Sequence, residues 1–358
     1  MKSLTKTDIE HLHTGARLLG CAVDPQWARD QLERTLGQMR DSPAAPKLMA
    51  VGEFDDDETL LAVGYVNRGL PTTELRPVGD EFVISVKLVE ERLGKPIAGL
   101  FPLAGAGINP LVPVLAGMQL DLPVADVDPQ GRVFPLLYQS VLTLAKLPVG
   151  PVGATGPTGE SALLDVTEPR RAERLVRALA GEFGGWSATA LYPIQARDLA
   201  EHGIIGTISL LIRAGEILDR DVVAEAKHAA LRRVFDVRYI IRGRIIDVTG
   251  LSYSPTADQP DLPTSIVLLD LQQGRILQLE FQNEFLLFMV DGAVQAQIPD
   301  IITLLHPGSG TVAGLEDLWA GNVLDVVVVA NDAKWYSASG KRLARAAAEH
   351  LFSREADL

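Results

Sequence analysis

The sequence predicts an N-terminal three-layer α/β domain over residues 1–235, an all-β barrel or sandwich over 236–337, and a last helix, 338–358, packed back on the first domain. Three observations carry this expectation. Up to Asp236, short aliphatic runs alternate with longer runs of helical period. After Asp236 the runs become β-rich and closely spaced, with Gln273-Gly274 and Asp291-Gly292 where tight hairpin turns are expected. "GKRLARAAAEHLF" then restores a helical pattern. The 358 residues, 47% of them hydrophobic, supply apolar material for two cores.

The elements follow in order. Thr7-Asp8-Ile9-Glu10 has the spacing of a capping box and opens an amphipathic run to Leu19. A second helix is expected from Pro25 to Met39, with proline in its first turn. "KLMAVGEF" and "TLLAVGYV" read as strands. In "EFVISVKLVEERLG" Phe82, Val86, Val89 and Leu93 share one helical face, and Gly94 stands at the stop. "KPIAGLF" is a strand, "NPLVPVLAGMQL" a helix, and "LPVADVD" a strand. "VGPVGATGPTGES" places Gly150, Gly153, Gly156 and Gly159 every third residue. It is too short for a triple helix and reads as a Pro/Gly-stiffened surface loop, or as a loop offering N–H groups to a ligand. A charged helix from Pro169 to Phe183, the strand "WSATALYP" and the helices "IIGTISLLIRAGEIL" and "DVVAEAKHAALRRVF" complete the first domain.

Charge and composition exclude some functions. A formal net charge of −13 argues against a phosphate-backbone binder, so no nucleic-acid partner is expected. Ile97 to Leu120 carries no charged side chain, but Pro102, Pro110, Pro113 and Asn109 interrupt it; it reads as a buried strand-loop-helix unit rather than a membrane span. The first residues show no apolar signal region, and the single cysteine, Cys21, suits a reducing cytoplasm. Beside Leu18, Leu19 and Val23, Cys21 reads as a small core residue, with a nucleophile near a helix start as the alternative.

No P-loop, dinucleotide fingerprint, nucleophile elbow or recognised metal spacing occurs. The chemistry concentrates in "LPVADVDPQGRVFP". On one strand, Leu122, Val124, Asp126 and Asp128 would share a face, with both carboxylates at the carboxyl end, where open α/β sheets bind ligands. Two adjacent carboxylates can leave one as a proton carrier, or hold a divalent metal as cofactor. A turn at Pro129-Gln130-Gly131 would bring Arg132 back toward them. The alternative is a turn pinned by its own aspartate and an Asp–Arg pair. Glu74 after Pro71, and Asn283 with Glu284 inside an apolar strand, are further polar positions; cross-strand bonding is the competing explanation for Glu284.

Three blocks in the same order, "GLPTTELRPVGDE", "PLAGAGINPLVPVLAGMQLDLPVADVDPQGRVFP" and "FQNEFLLFMVDGAVQAQIPDIITLL", together resemble the S-methyl-thiohydantoin desulfurase-like family over nearly the whole chain. The resemblance implies an N-terminal α/β domain, a C-terminal β domain, and hydrolytic removal of a methylthio group from a five-membered ring, giving methanethiol and hydantoin. It also implies a hydantoinase- or oxoprolinase-type protein as partner. The family block Asp-Ala-Asp-Gly-x-Gly-Arg-Ala-Phe-Pro-Glu is matched by Asp126, Asp128, Gly131, Arg132, Phe134 and Pro135; Leu136 replaces its last glutamate. Of the family's early glycine loop only Leu19 and Gly20 remain, and Leu103 stands where a glutamate is usual. The expected site therefore has Asp126, Asp128 and Arg132 as catalytic groups, and Glu74, Asn109, Gly131, Asn283 and Glu284 around a small-molecule ligand. Two functions stay open: a hydrolase of a thiohydantoin-like cyclic amide, or a catalytically degenerate binding or accessory subunit. A homo-oligomer is compatible with either.

Overall fold

A computed structural model describes residues 1–20, 25–42, 45–67, 75–250, 264–282 and 284–347. The strands of the first part are β1 (Lys2–Ser3), β2 (Lys47–Met49), β3 (Thr59–Asn67), β4 (Gly99–Pro102), β5 (Val124–Ala125), β6 (Val127–Asp128), β7 (Val152–Thr155), β8 (Ser161–Leu164), β9 (Trp186–Gln195) and β10 (Ile204–Ile205). Those of the second are β11 (Val237–Thr249), β12 (Thr264–Asp270), β13 (Ile276–Gln282), β14 (Glu284–Val290), β15 (Ala293–Gln297), β16 (Ile301–Leu305) and β17 (Val323–Val329). The helices are α1 (Lys6–Leu19), α2 (Pro25–Asp41), α3 (Glu81–Leu93), α4 (Val112–Leu120), α5 (Val141–Leu144), α6 (Pro169–Glu182), α7 (Ala196–His202), α8 (Thr207–Leu218), α9 (Ala224–Leu231) and α10 (Ala338–Ala344).

The first sheet has the order β1-β2-β5-β4-β3-β9-β7-β8. Its centre, β2-β5-β4-β3, is parallel; β9, β7 and β8 extend it antiparallel. Strand β3 shows why the sheet is covered twice. Leu60 and Ala62 join Ala172, Val176 and Leu199 of α6 and α7. Leu61 and Val63 join Ala28, Val86 and Val112 of α2, α3 and α4. Alternate residues thus serve opposite helix layers, and the strand reads as a continuous apolar run. The charge-free stretch Ile97–Leu120 is β4, a short turn and α4 within this assembly, and among the described residues no helix is long and apolar enough to cross a membrane.

The second sheet is antiparallel, in the order β15-β14-β13-β12-β11-β17-β16. It curls into a half-barrel, so that β14 packs near β16. Asp291 and Gly292 both take positive φ, 48° and 79°, as a two-residue hairpin of the favoured twist demands. Helices α1 and α8 lie between the two sheets. Ile9, Leu12 and Ala16 of α1 and Ile208, Leu211 and Ile217 of α8 share one core with Ile266, Leu268, Leu279 and Phe288 of the curled sheet. The two helices touch backbone to backbone. A methyl on Gly15 would lie 1.9 Å from the Leu211 carbonyl oxygen, and one on Gly215 1.9 Å from that of His11.

Several local expectations need correction. The capping box is formed by Thr5 and Asp8, two residues before the predicted start. Thr5 and Asp8 exchange side-chain and backbone bonds at 2.8 and 3.1 Å, and the pattern from Thr7 is simply inside the helix. The predicted surface loop over "VGPVGATGPTGES" is the hairpin β7–β8, with β7 fully buried. Its small residues are required by close packing: a methyl on Gly153 would lie 2.2 Å from the Ser85 carbonyl oxygen of α3, and Ser85 Oγ donates to Thr155 Oγ1 at 2.8 Å. "VGEF" turns as a 3₁₀ segment after β2 rather than continuing it. "LPVADVD" is not one strand: it breaks at Asp126 between β5, in the large sheet, and β6, which pairs with β10. Cys21 lies outside the described residues.

The α1–α8 contact predicts opposite outcomes for one substitution in two helices. Gly215→Ala is expected to destabilise the protein by about 1–3 kcal/mol, because the added methyl must push the helices apart. Gly37→Ala on α2, where the methyl would meet nothing closer than 3.6 Å, should be neutral or stabilise by up to about 1 kcal/mol through helix propensity. Urea unfolding of the two variants beside the parent reads both signs.

Candidate functional site

The carboxyl ends of the parallel strands release the loops that hold most of the residues singled out from sequence. After β4 comes Leu103–Asn109, and after β5 comes Asp126–Pro135. Gly20, at the end of α1, abuts both: a methyl there would lie 3.0 Å from Gly107 N and 3.2 Å from Val133.

Asp126 fastens the second loop to α8. Its N–H donates to the Met49 carbonyl, and its own carbonyl accepts from Gly206 N, both at 2.8 Å. Its carboxylate accepts from Ser209 N at 3.0 Å and from Ser209 Oγ at 2.5 Å. Ser209 is in the first turn of α8, so the charge sits where the helix dipole and unsatisfied N–H groups favour an anion.

Asp128 is wholly buried. Its Oδ1 accepts from Gln130 N and Gly131 N, each at 2.6 Å, closing a turn on itself. Gly131 takes φ 69° to make that turn. The other oxygen, Oδ2, has no hydrogen-bond partner and packs against Gly105, where a methyl would lie 2.5 Å from it. Burial drives the carboxyl up to about 6; the N–H groups of Gly131 and Gln130, then the Thr207 hydroxyl and Gly105 N–H facing it, oppose this without reversing it. The Thr207 hydroxyl itself donates to the Ile204 carbonyl at 2.9 Å, so its support of Oδ2 is weak. The two carboxylates thus have separate partners and do not form one acidic pair.

Arg132 faces away from them. It is 2% exposed, and its Nη1 donates to the Asp300 carbonyl at 2.6 Å, Nη2 to Phe285 O at 3.3 Å, and Nε to Val133 O at 3.1 Å. The expected return of Arg132 to the Asp pair is therefore replaced by attachment to the curled sheet. The guanidinium also lies 5.2 Å from the Phe134 ring centre. Around this attachment Asp300 accepts from Arg238 at 2.9 Å on both oxygens and from the Tyr336 hydroxyl. The Gln130 carbonyl accepts twice, from Asn331 Nδ2 at 3.2 Å and Trp335 Nε1 at 2.8 Å.

The remaining residues divide. Asn109 uses Oδ1 to accept from Tyr65 N at 3.2 Å, tying its loop to β3. Glu284, 5% exposed on β14, meets Arg132 at a cavity of about 10 Å³ that Gln282, Leu286 and Ala344 also line. That is room for about one water molecule. Glu74 and Asn283 lie outside the described residues. The structure thus brings Arg132 and Glu284 together, sets Asp128 and Gly131 on the other side of the same loop, and reaches Asn109 only along the loop that contains Gly105. Among the described residues no group of three His, Cys, Asp or Glu side chains is placed to hold a metal. Sequence reasoning missed Asp300, Asn331, Trp335 and Tyr336. Asp300, Asn331 and Trp335 meet the loop 168 to 205 positions away, Tyr336 is linked to it through Asp300, and no local pattern marks them.

Both parts of the chain match family models. Residues 7–166 match the one described as S-Me-THD-like, N-terminal domain, and residues 167–348 the one described as S-Me-THD-like, C-terminal domain. A crystal structure of a protein from Chromobacterium violaceum superposes with a TM-score of 0.78 at 21% identity, covering 98% of this chain and 97% of that one. It shows the same fold. No curated protein matches the chain significantly.

The Asp128 carboxyl predicts a pH effect of definite sign. Below 3.8 it is protonated in folded and unfolded chains alike. Between 3.8 and about 6 the unfolded chain releases the proton while the fold retains it, so stability falls as pH rises. Above about 6 the loss is constant, at about 3 kcal/mol. Asp128→Asn lacks this term. Its stability relative to the parent should shift in its favour by up to about 3 kcal/mol between pH 4 and pH 7, as read by denaturant unfolding at each pH. Parallel curves for the two proteins would contradict the assignment.

Proposed function

The chain belongs to the S-Me-THD-like family, and on that premise we propose that it hydrolyses a small thiohydantoin- or hydantoin-like cyclic amide, with Asp128 as its acid–base group. The observation that carries this reading is a buried carboxyl that changes protonation near neutrality, with one oxygen unpartnered, inside the block of residues that resembles the family. A general acid–base works best when it titrates near the working pH. Asp126 serves less well, since Ser209 holds both its oxygens.

For an S-methyl-thiohydantoin the step is simple in outline. Water adds through oxygen to the ring carbon that bears sulfur, its first proton passes to the Asp128 carboxylate, and the carbon–nitrogen π pair moves to the ring nitrogen, which takes that proton back from Asp128. The carbon–sulfur bond then breaks with its electron pair on sulfur as the ring carbonyl forms, and the second water proton passes to the departing thiolate, giving methanethiol and hydantoin. Gly105 covers the carboxyl, so in this reading the 103–109 loop parts from the 126–131 turn when substrate enters. Arg132 positions the loop by its bonds to the curled sheet, Gly131 and Asn109 lie on the two loops that would meet the ligand, and Glu284 stands beside Arg132, between a 1–235 unit and a 236–337 unit. The protein works in the cytoplasm, which a single cysteine suits.

A specific observation favours a second reading, a non-catalytic binding or accessory subunit of a hydantoinase- or oxoprolinase-type enzyme. Arg132 donates to main-chain carbonyls of the curled sheet and Asp126 accepts from the first turn of a helix, and the resemblance places Leu136 and Leu103 where glutamates are usual.

Headspace measurement of methanethiol, with chromatography of hydantoin, separates the readings. If the first holds, purified protein turns over S-methyl-thiohydantoin, and Asp128→Asn loses about 10²–10⁴-fold in kcat while staying folded. Binding by calorimetry without turnover supports the accessory reading. Turnover that survives Asp128→Asn removes Asp128 from the chemistry.

A further inference from the structure

Away from the 126–135 loop, a second buried polar cluster joins α9 to the curled sheet. His228 of α9 is 9% exposed. Its Nε2 is buried without a hydrogen-bond partner, 3.6 Å from Asp325 Oδ2 on β17. Asp325, 1% exposed, is already served by Arg242 of β11, whose Nε and Nη2 donate at 2.7 and 3.0 Å. Arg242 Nη2 also reaches Pro307 O and Glu225 Oε1, each at 3.4 Å. The next residue of α9, Lys227, donates to the Leu218 carbonyl at the end of α8 at 2.5 Å. A neutral imidazole nitrogen is thus held beside a carboxylate that has its own cation, and gains nothing from it. A proton on that nitrogen is opposed by its burial and favoured by Asp325, so the two effects compete at one buried contact.

We propose that His228 is an acid-sensitive latch: neutral, it lets α9 seat on the curled sheet, and protonated, it releases the helix. The charged groups facing it are Asp325 from β17, Glu225 and Arg232 from α9 itself, and Arg242 from β11. Burial lowers the ring below its ordinary 6.5; Asp325 and Glu225 push the other way, Arg242 and Arg232 the same way, and burial prevails. The sign follows. With the folded value depressed, seating is fully stable above 6.5 and weakens as pH falls below it, because the released ring binds a proton that the seated ring refuses. Release of α9 also frees the Lys227 contact with α8, the helix whose other end holds Asp126.

Hydrogen exchange of residues 224–231, corrected for the intrinsic pH dependence of amide exchange, tests the latch on the full chain. In the parent, opening of α9 should increase up to about tenfold per pH unit below 6.5. In His228→Gln, which keeps a neutral polar side chain, the increase should vanish. An equal increase in both proteins overturns the proposal. Should His228→Gln fail to fold, the His228 ring resonance of the parent decides. A midpoint below 6.5, with α9 opening over the same range, supports the latch. A midpoint at or above 6.5 overturns it, because Asp325 would then be holding the charged ring in place.

Discussion

The architecture depends on one close approach, the crossing of α1 and α8 at Gly15 and Gly215. Two helices whose backbones touch leave almost no freedom in their relative position. Their outer faces are buried in the core of the curled sheet, so the same contact fixes where that sheet lies. The first turn of α8 then presents Ser209 to Asp126, which sets the start of the 126–135 loop. The loop's other end is fixed by Arg132 on Asp300 and Phe285. Each attachment is modest, on the order of 1.5–3 kcal/mol for a hydrogen bond to a charged group. Their effect comes from being in series between two rigid bodies.

This placement explains why one loop is both firmly held and carries a raised carboxyl. A turn closed by Oδ1 of Asp128 and bolted by Arg132 and Gln130 is well held. Such holding excludes water, and exclusion of water is what raises the Asp128 carboxyl. Rigidity and the raised carboxyl here have one cause. Asp126 shows the contrast. It is almost as buried, but both its oxygens accept hydrogen bonds from Ser209 at a helix start.

Sequence alone revealed what is written in local periodicity. The α3 stripe Phe82–Val86–Val89, the stop at Gly94 with φ 64° and the Asp291-Gly292 hairpin are set by neighbours a few positions away. Strand β11, the first of the curled sheet, begins at Val237. Legibility ended where a distant backbone decided. Hairpin β7–β8 looked like a loop because α3 leaves no space for a side chain at Gly153, and the glycines and prolines around it read as turn residues. The break in "LPVADVD" follows from Gly206 and Ser209, about 80 residues on. Arg132 was expected to answer the nearest negative charges; its partners are carbonyls of Asp300 and Phe285, which no charge pattern can reveal.

The bolts between the loop and the curled sheet have an evolutionary consequence. Arg132, Asn331 and Trp335 all donate to carbonyl oxygens of the main chain, and every amino acid supplies one. Such a joint is indifferent to the side chains on the accepting residues. The accepting carbonyls belong to Asp300 and Gln130, and these bonds do not depend on which side chain either residue carries. A protein built this way can change the chemistry of its loop while keeping its geometry, and a chain at 21% identity can share the fold over nearly its whole length.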